Sequence, residues 1–385
     1  MILLKNGNIY KPYPAGKKDI LIAGSEIIAI KDKIESLEFD NIRVMDCVDS
    51  LVLPGLIDSH VHIIGGGGEG GPTTRTPELR LSQLLQGGIT TVIGCLGTDG
   101  FTRDLKSLLM KAKALRNQGI SCWIYTGSYQ YPPPTFFDDV ATDIALIDEV
   151  IGVGELAISD HRSSNPSVPE LIRLAKHARI GGMLGGKAGI VNLHMGDAKD
   201  PFKPVIKVVE QSELSFKQFI PTHCNRNKWI FGEAKEYGKQ GYIDLTASSY
   251  EYYPDQEIKV SKAIPALIEA GVPWENITVT SDGCGSLPQF NKEGFLEKLI
   301  AAEPSSIFKE MVDLILMENV PIEKALLAFS RNPAKILRLS AKGEIKEGFD
   351  ADILILDKEY KIKCLISRGV LMVDNYKIVV NENFS

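Results

Sequence analysis

Eight apolar, strand-like runs recur along the middle of this chain, separated by longer segments, several with helix-period apolar spacing. They read GLIDSHVH, GITTVIGCLG, SCWIYTGSY, EVIGVGELAISD, AGIVNLHMGD, FIPTHCN, GYIDLTASS and NITVTSDGCG. Stretches such as TRDLKSLLMKAKALRNQG, VPELIRLAKHAR and FLEKLIAA lie among them and are expected to be helical. Short apolar runs alternating with helices predict parallel strands covered by helices, and eight repeats of the unit predict a closed (β/α)8 barrel of the TIM type, an α/β fold. The two ends of the chain have a different texture. ILLKNGNIY, DILIAGSEIIAIKD and VMDCVDSLVLPG at the start, and GEIKEGFDADILILD, CLISRGVLMVD and KIVV at the finish, are β-rich runs broken by turns. We expect residues 1–53 and 343–385 to meet as one small β-sandwich domain, with the barrel occupying residues 54–342.

At 385 residues the chain can build one large core and a smaller appendage. Its formal charge of −6 and lack of a basic run argue against a nucleic-acid or anionic-membrane partner. No stretch is apolar for long enough to span a bilayer, and the start is too briefly apolar for a signal peptide. Six widely spaced cysteines with no C-x-x-C pair fit reduced core thiols in a cytoplasm.

Histidine placement is the strongest functional signal. Of only six histidines, His60 and His62 end the first strand, His194 the fifth and His223 the sixth, and Asp282 ends the eighth. Active-site groups collect at the C-terminal ends of barrel strands. Residues i and i+2 of a strand share a face, so His60 and His62 are expected to point together into the barrel mouth. Imidazoles joined by carboxylates suit a divalent cation, zinc above all. The GGGGEGG run after His62 satisfies G-x-G-x-x-G, but Gly71-Pro72-Thr73-Thr74 continues it as loop where a dinucleotide fold needs a helix. A flexible loop that carries Glu69 over the metal site is the better reading.

The H-x-H pair, the two later histidines and the strand-end aspartate resemble the amidohydrolase superfamily. HVHIIGGGGEGGPTTRT, LGTDG, AISDHRS, GGKAGIVNLHMGD, PTHCNRN and SDGCGS resemble the isoaspartyl dipeptidases within it, over nearly the whole barrel. That resemblance implies a two-cation hydrolase that attacks the β-aspartyl isopeptide bond of a dipeptide with metal-bound hydroxide, and it implies a homo-oligomer. It places His60 and His62 on one metal and His194 and His223 on the second, with Asp282 as ligand and proton carrier. It gives Glu69 the substrate ammonium, Arg162 and Arg226 its carboxylates, Thr98 and Ser286 further contacts, and Tyr129 the developing oxyanion. Tyr131 competes for that last role, and Arg75 and His161 have no assignment.

One position departs from the family. The lysine that is carbamylated on the fourth strand is missing, since no lysine occurs between Lys113 and Lys176, and counting back from DHR the site holds Glu155. A glutamate offers the same charge and two oxygens, so no lysine carbamate is expected. Its side chain is shorter, and the preceding Gly154 is expected to permit a bulge that brings it closer. Two alternatives stand beside this reading: a cyclic-amide hydrolase of dihydroorotase or hydantoinase type, and a barrel that has lost catalysis.

Overall fold

The computed structural model describes residues 1–35, 41–291, 293 and 296–381. Its N-terminal strands are β1 (Ile2–Tyr10), β2 (Pro14–Ala23), β3 (Glu26–Lys31), β4 (Arg43–Asp46) and β5 (Leu51–Pro54). Strand β1 pairs antiparallel with β2 and β2 with β3, while β4 and β5 both run parallel to β1. The two-residue alternation of Ile2, Leu4, Ile20 and Ile22 puts these side chains into one apolar cluster.

The next eight strands all run parallel to their neighbours: β6 (Leu56–Val61), β7 (Ile89–Gly94), β8 (Ser121–Thr126), β9 (Val150–Ile158), β10 (Ile190–Met195), β11 (Phe219–Thr222), β12 (Ile243–Thr246) and β13 (Ile277–Thr280). Strands β6 to β11 form one sheet in sequence order and β12 pairs with β13. Backbone hydrogen bonds from Cys224 N to Asp244 O (3.1 Å) and from His62 N to Gly283 O (2.9 Å) join the two sheets at both seams. Each strand is followed by a helix, from Leu81–Gln86 after β6 to Ser306–Leu316 after β13. The arrangement is of TIM-barrel type. Apart from the partly buried Trp123, its strands are buried because helices cover the outside and side chains fill the inside, which is why they read as largely apolar runs.

After β13 the structure departs from expectation. FLEKLIAA was expected to be helical, yet Leu296–Ala301 is a strand, β15, paired antiparallel with β14 (Ser286–Phe290); Phe295 lies outside the described residues. Leu, Glu and Lys are good helix formers, but tertiary context overrides propensity, and here a facing strand supplies the backbone partners. The hairpin base is closed by Cys284 N to Ala302 O at 2.8 Å and Ala302 N to Gly285 O at 2.9 Å.

The chain ends in β16 (Ile353–Leu356), β17 (Ile362–Ser367), β18 (Val370–Asp374) and β19 (Lys377–Ile378). Strand β16 pairs antiparallel with β5, so the two ends of the chain share one nine-stranded sheet. Among the described residues no helix is long and apolar enough to cross a membrane.

Candidate metal centre and its cavity

His60 and His62 lie at the end of β6, with both rings directed to the same side. His60 Nε2 lies 3.2 Å from Glu155 Oε2 and 3.6 Å from Asp282 Oδ1. His62 Nε2 lies 3.0 Å from Asp282 Oδ1 and 3.7 Å from Glu155 Oε2. Asp58, two residues before His60 and fully buried, accepts hydrogen bonds from the backbone and hydroxyl of Ser281 and so ties β6 to the strand end that carries Asp282.

Glu155 reaches this point through an irregularity in β9. Val153 pairs with Val191 and Leu156 with Leu193, three steps along β9 for two along β10, which leaves one extra residue in β9. Gly154 occupies the bulge at φ 155°, joined to Glu155 by a cis peptide. A Cβ there would meet Asn192 Cβ and O at 2.8 Å, so the backbones approach closely only because position 154 is glycine. The other Glu155 oxygen, Oε1, lies 2.7 Å from His194 Nδ1 and 3.3 Å from His223 Nε2. One carboxylate therefore faces two imidazoles with each oxygen.

Two of the rings, His194 and His223, are held from behind. His194 Nε2 lies 3.0 Å from both Asp160 Oδ2 and Arg162 Nη2, while Nδ1 faces Glu155. Tyr129 Oη lies 2.7 Å from His194 Nδ1. Burial alone would raise the Asp160 carboxyl, but His194 and Arg162 override it and hold the group well below the usual carboxylate range. His223 Nδ1 meets Thr246 Oγ1 at 2.7 Å. Burial, only partly offset by Glu155, pushes His223 down to about 3, which keeps its ring neutral and able to coordinate. Burial acts to raise Glu155 too, but His60 and His194 keep it ionised. Tyr129 is raised by burial and then by Glu155, so it stays a phenol that can donate.

These residues fit divalent cations. His60 Nε2, Glu155 Oε2 and Asp282 Oδ1 are buried atoms with no hydrogen-bond partner among the described residues, and they converge. Unsatisfied groups cost about 1–3 kcal/mol each, a penalty that a bound cation removes for all three. Two clusters have metal-competent donors, His60, His62, Cys95 and Glu155 in one and Glu155, His194 and His223 in the other, with the donor atoms of each cluster within 4.8 Å of one another. Glu155 is common to both.

Above this floor opens a cavity of about 770 Å³. Glu69 projects into it on the glycine loop and draws the other substrate candidates together. Its Oε1 lies 3.1 Å from both Arg162 Nη1 and Thr98 Oγ1, and its Oε2 is 3.5 Å from Ser286 Oγ. The loop folds back on itself through an antiparallel bridge between Gly67 and Arg75, and a side chain at Gly67 (φ 72°) would strike the Thr74 carbonyl. Pro72–Thr74 forms a single 3-10 turn, with no phosphate-binding helix after it. Arg226 donates to Met195 O at 2.9 Å and stands 3.8 Å from Asp160 Oδ2. Asn227 caps the helix that follows β11 by accepting from Ile230 N at 2.9 Å, which places Arg226 at the cavity edge.

The two unassigned residues point away from the metal-binding donors, although His161 Nδ1 lies 3.6 Å from Asp160 Oδ1. Arg75 bonds Asp99 and Thr102, both at 2.6 Å, and the His161 side chain is 87% exposed at the cavity rim. Tyr129 and not Tyr131 reaches His194. Three residues at the site carried no functional assignment from sequence. Cys95, taken only as a core thiol, is indeed buried but lies 3.8 Å from His62 Nδ1 at the end of β7. Asp160 sits inside the DHR motif, one residue before the histidine that drew attention. Glu257, in the loop after β12, had no local signal at all.

Such a barrel, with histidines and carboxylates gathered at one end around a buried acid, defines a metal-dependent hydrolase of amidohydrolase type. The amidohydrolase family model matches residues 222–381. A solved β-aspartyl dipeptidase from Fervidobacterium islandicum AW-1, in complex with β-Asp-Leu dipeptide, superposes with a TM-score of 0.91 at 40% identity over 100% of both chains. In sequence the chain is 26% identical to the 5'-deoxyadenosine deaminase of Methanocaldococcus jannaschii, over 94% of this chain and 87% of that protein. A D-hydantoinase from Thermus sp. shares the fold at a TM-score of 0.69 and 17% identity, covering 100% of this chain and 98% of that one. The chain belongs to the β-aspartyl dipeptidases of the amidohydrolase family.

Proposed function

We propose that this chain is a binuclear isoaspartyl dipeptidase, hydrolysing the β-aspartyl isopeptide bond of isoaspartyl dipeptides. The observation that carries this reading is Glu155, one carboxylate whose two oxygens face separate imidazole pairs, beneath a cavity that holds both a loop carboxylate and two guanidinium groups. In this reading His60, His62, Glu155 and Asp282 hold one cation, and Glu155, His194 and His223 hold the other. Both are zinc, and no lysine carbamate takes part. A pair of divalent cations supplies activated water and a polarised carbonyl when bound.

The rest is done by the chain's own groups. Glu69 receives the α-ammonium of the isoaspartate. Arg162 and Arg226 grip the two carboxylates, which planar guanidinium can do bidentately. Thr98 and Ser286 hold Glu69 and the substrate in register. Tyr129 donates its O–H to the amide oxygen as negative charge builds there. Asp282 takes the proton of the attacking water at a carboxylate oxygen and returns it to the departing amine.

Residues 54–342 form the catalytic barrel in this proposal, and residues 1–53 with 343–385 a small β-sandwich domain, supported by the separate apolar cluster of Ile9, Ile20, Val52, Ile353 and Ile366. The enzyme works in the cytoplasm on a small dipeptide, a placement supported by its six free, buried cysteines. A homo-oligomer is part of the same proposal, supported by the exposed Met183 and Leu184 on the helix Val168–Gly185.

A cyclic-amide hydrolase is the second reading, favoured by 25% identity over 92% of this chain to the dihydroorotase of Elusimicrobium minutum. Assays of β-Asp-Leu, α-Asp-Leu and dihydroorotate, each with and without chelator, separate the two. Chelator-sensitive turnover of β-Asp-Leu alone is expected. Turnover of dihydroorotate with β-Asp-Leu untouched overturns the proposal.

A further inference from the structure

The cavity lining includes an acid that none of the substrate roles above uses. Glu257 lines the same cavity as Asp282 and Arg226. Its segment is pinned to the metal-binding strand end through Asn225, whose side chain donates to Thr246 O and Ile258 O, both at 2.9 Å, and whose carbonyl accepts from Ile258 N at 2.9 Å. Glu257 Oε2 accepts one hydrogen bond, from Ser249 Oγ at 2.5 Å, and among the described residues the carboxylate makes no ion pair. Arg226 is the nearby cation; its Nη1 donates to Met195 O at 2.9 Å and lies 3.8 Å from Asp160 Oδ2.

The surroundings of this carboxylate have a second character. Leu287, Pro288, Leu296 and Leu299 of the β14–β15 hairpin line the cavity together with Tyr253, whose hydroxyl donates to Pro288 O at 2.6 Å. The hydrogen bond fastens the hairpin to the loop that carries Glu257 and presents aliphatic and aromatic surface beside a carboxylate. Asp197 and Asp255 add further negative charge to the lining. Lys228, the one lining lysine, is exposed and keeps its hydration. A partly desolvated anion gains more from an incoming cation than a hydrated lysine gains from an anion.

We propose that Glu257, with the Tyr253 ring and Leu299 as walls, forms a subsite for a cationic side chain on the residue that follows the isoaspartate. A lysine or arginine side chain matches both characters, its methylene stem lying along the apolar wall and its charged head meeting the carboxylate. The inference rests on the dipeptidase reading of the site and sets the class of leaving residue within it. Burial raises Glu257 to about 7, the direction expected of a carboxylate awaiting a counter-charge.

The test compares kcat/KM for β-Asp-Lys, β-Asp-Leu and β-Asp-Glu at pH 8 in wild type, Glu257→Gln and Glu257→Lys, all loaded with zinc. Wild type is expected to rank Lys above Leu above Glu, with Lys favoured over Leu by about tenfold, the size of one charge-assisted contact. Glu257→Gln is expected to remove most of that ratio, through KM, and Glu257→Lys to place β-Asp-Glu above β-Asp-Lys. A wild-type ranking with Glu at or above Lys overturns the subsite without recourse to any variant, as does a Lys-to-Leu ratio unchanged in Glu257→Gln. Wild type inactive on all three dipeptides overturns the dipeptidase reading and the subsite with it, whereas activity without the ranking overturns the subsite alone.

Discussion

Asp160 holds His194 from behind, its Oδ2 3.0 Å from Nε2, and thereby turns Nδ1 to within 2.7 Å of Glu155 Oε1. The same carboxylate grips Arg162 through Nε and Nη2, both at 2.9 Å. One acid thus contacts both a metal-competent imidazole and a guanidinium at the cavity wall.

Replacing Asp160 with asparagine leaves the size unchanged but removes the charge that faces His194 Nε2. Outer partners of metal-bound histidines typically contribute about 10–100-fold in affinity. In Asp160→Asn, competition titration with a zinc chelator should show one of two ions weakened by that factor and the other unchanged. Equal affinity of both ions in variant and wild type would rule the role out.

Glu155→Ala tests the shared ligand. The variant is expected to bind at most one ion tightly and to lose turnover, because Asp282 remains beside His60 and His62 whereas only imidazoles remain around the second position. Two ions retained per chain after dialysis, read by elemental analysis, would refute the bridge.

Tyr129→Phe separates chemistry from assembly. Its hydroxyl reaches His194 at 2.7 Å from a buried position, where an oxyanion donor is worth about 10²–10³ in kcat. Metal content should stay at the wild-type value while kcat falls by that factor. Normal turnover would remove Tyr129 from the mechanism.

Glu257 also gives stability a pH dependence. Burial raises its carboxyl to about 7, above the value of roughly 4.3 in an unfolded chain, so the folded protein holds this proton more tightly. That contribution is fully present below about pH 4, is lost as pH rises toward 7, and changes no further above it. Complete loss amounts to about 4 kcal/mol at 1.36 kcal/mol per unit. Between pH 5 and pH 8 the Tm of zinc-loaded wild type should therefore fall by more than that of Glu257→Gln. Parallel curves would show that Glu257 titrates normally.

Much of the site is local in origin and was legible for that reason. The spacing of His60 and His62 follows from the two-residue period of a strand. Glu155 stood out through a missing lysine and an extra glycine, and β9 indeed carries one residue more than β10 at that point. The helix expected at FLEKLIAA was the clearest failure. Its apolar spacing suits either state, and only the facing Ser286–Phe290 strand decides between them.

By itself, then, the amino-acid order determined the repeating strand-and-helix architecture, the strand-end histidines and the Gly154-Glu155 pair on the fourth barrel strand. These depend on periodicity and on residue type, which are written along the chain. The approach of Cys95 to His62, the grip of Asp160 on His194 and the presence of Glu257 in the cavity wall were decided only by the tertiary structure. Each of those pairings joins separate strand ends or loops, and distance across a barrel mouth depends on how the strands close around it, a quantity that no local pattern encodes.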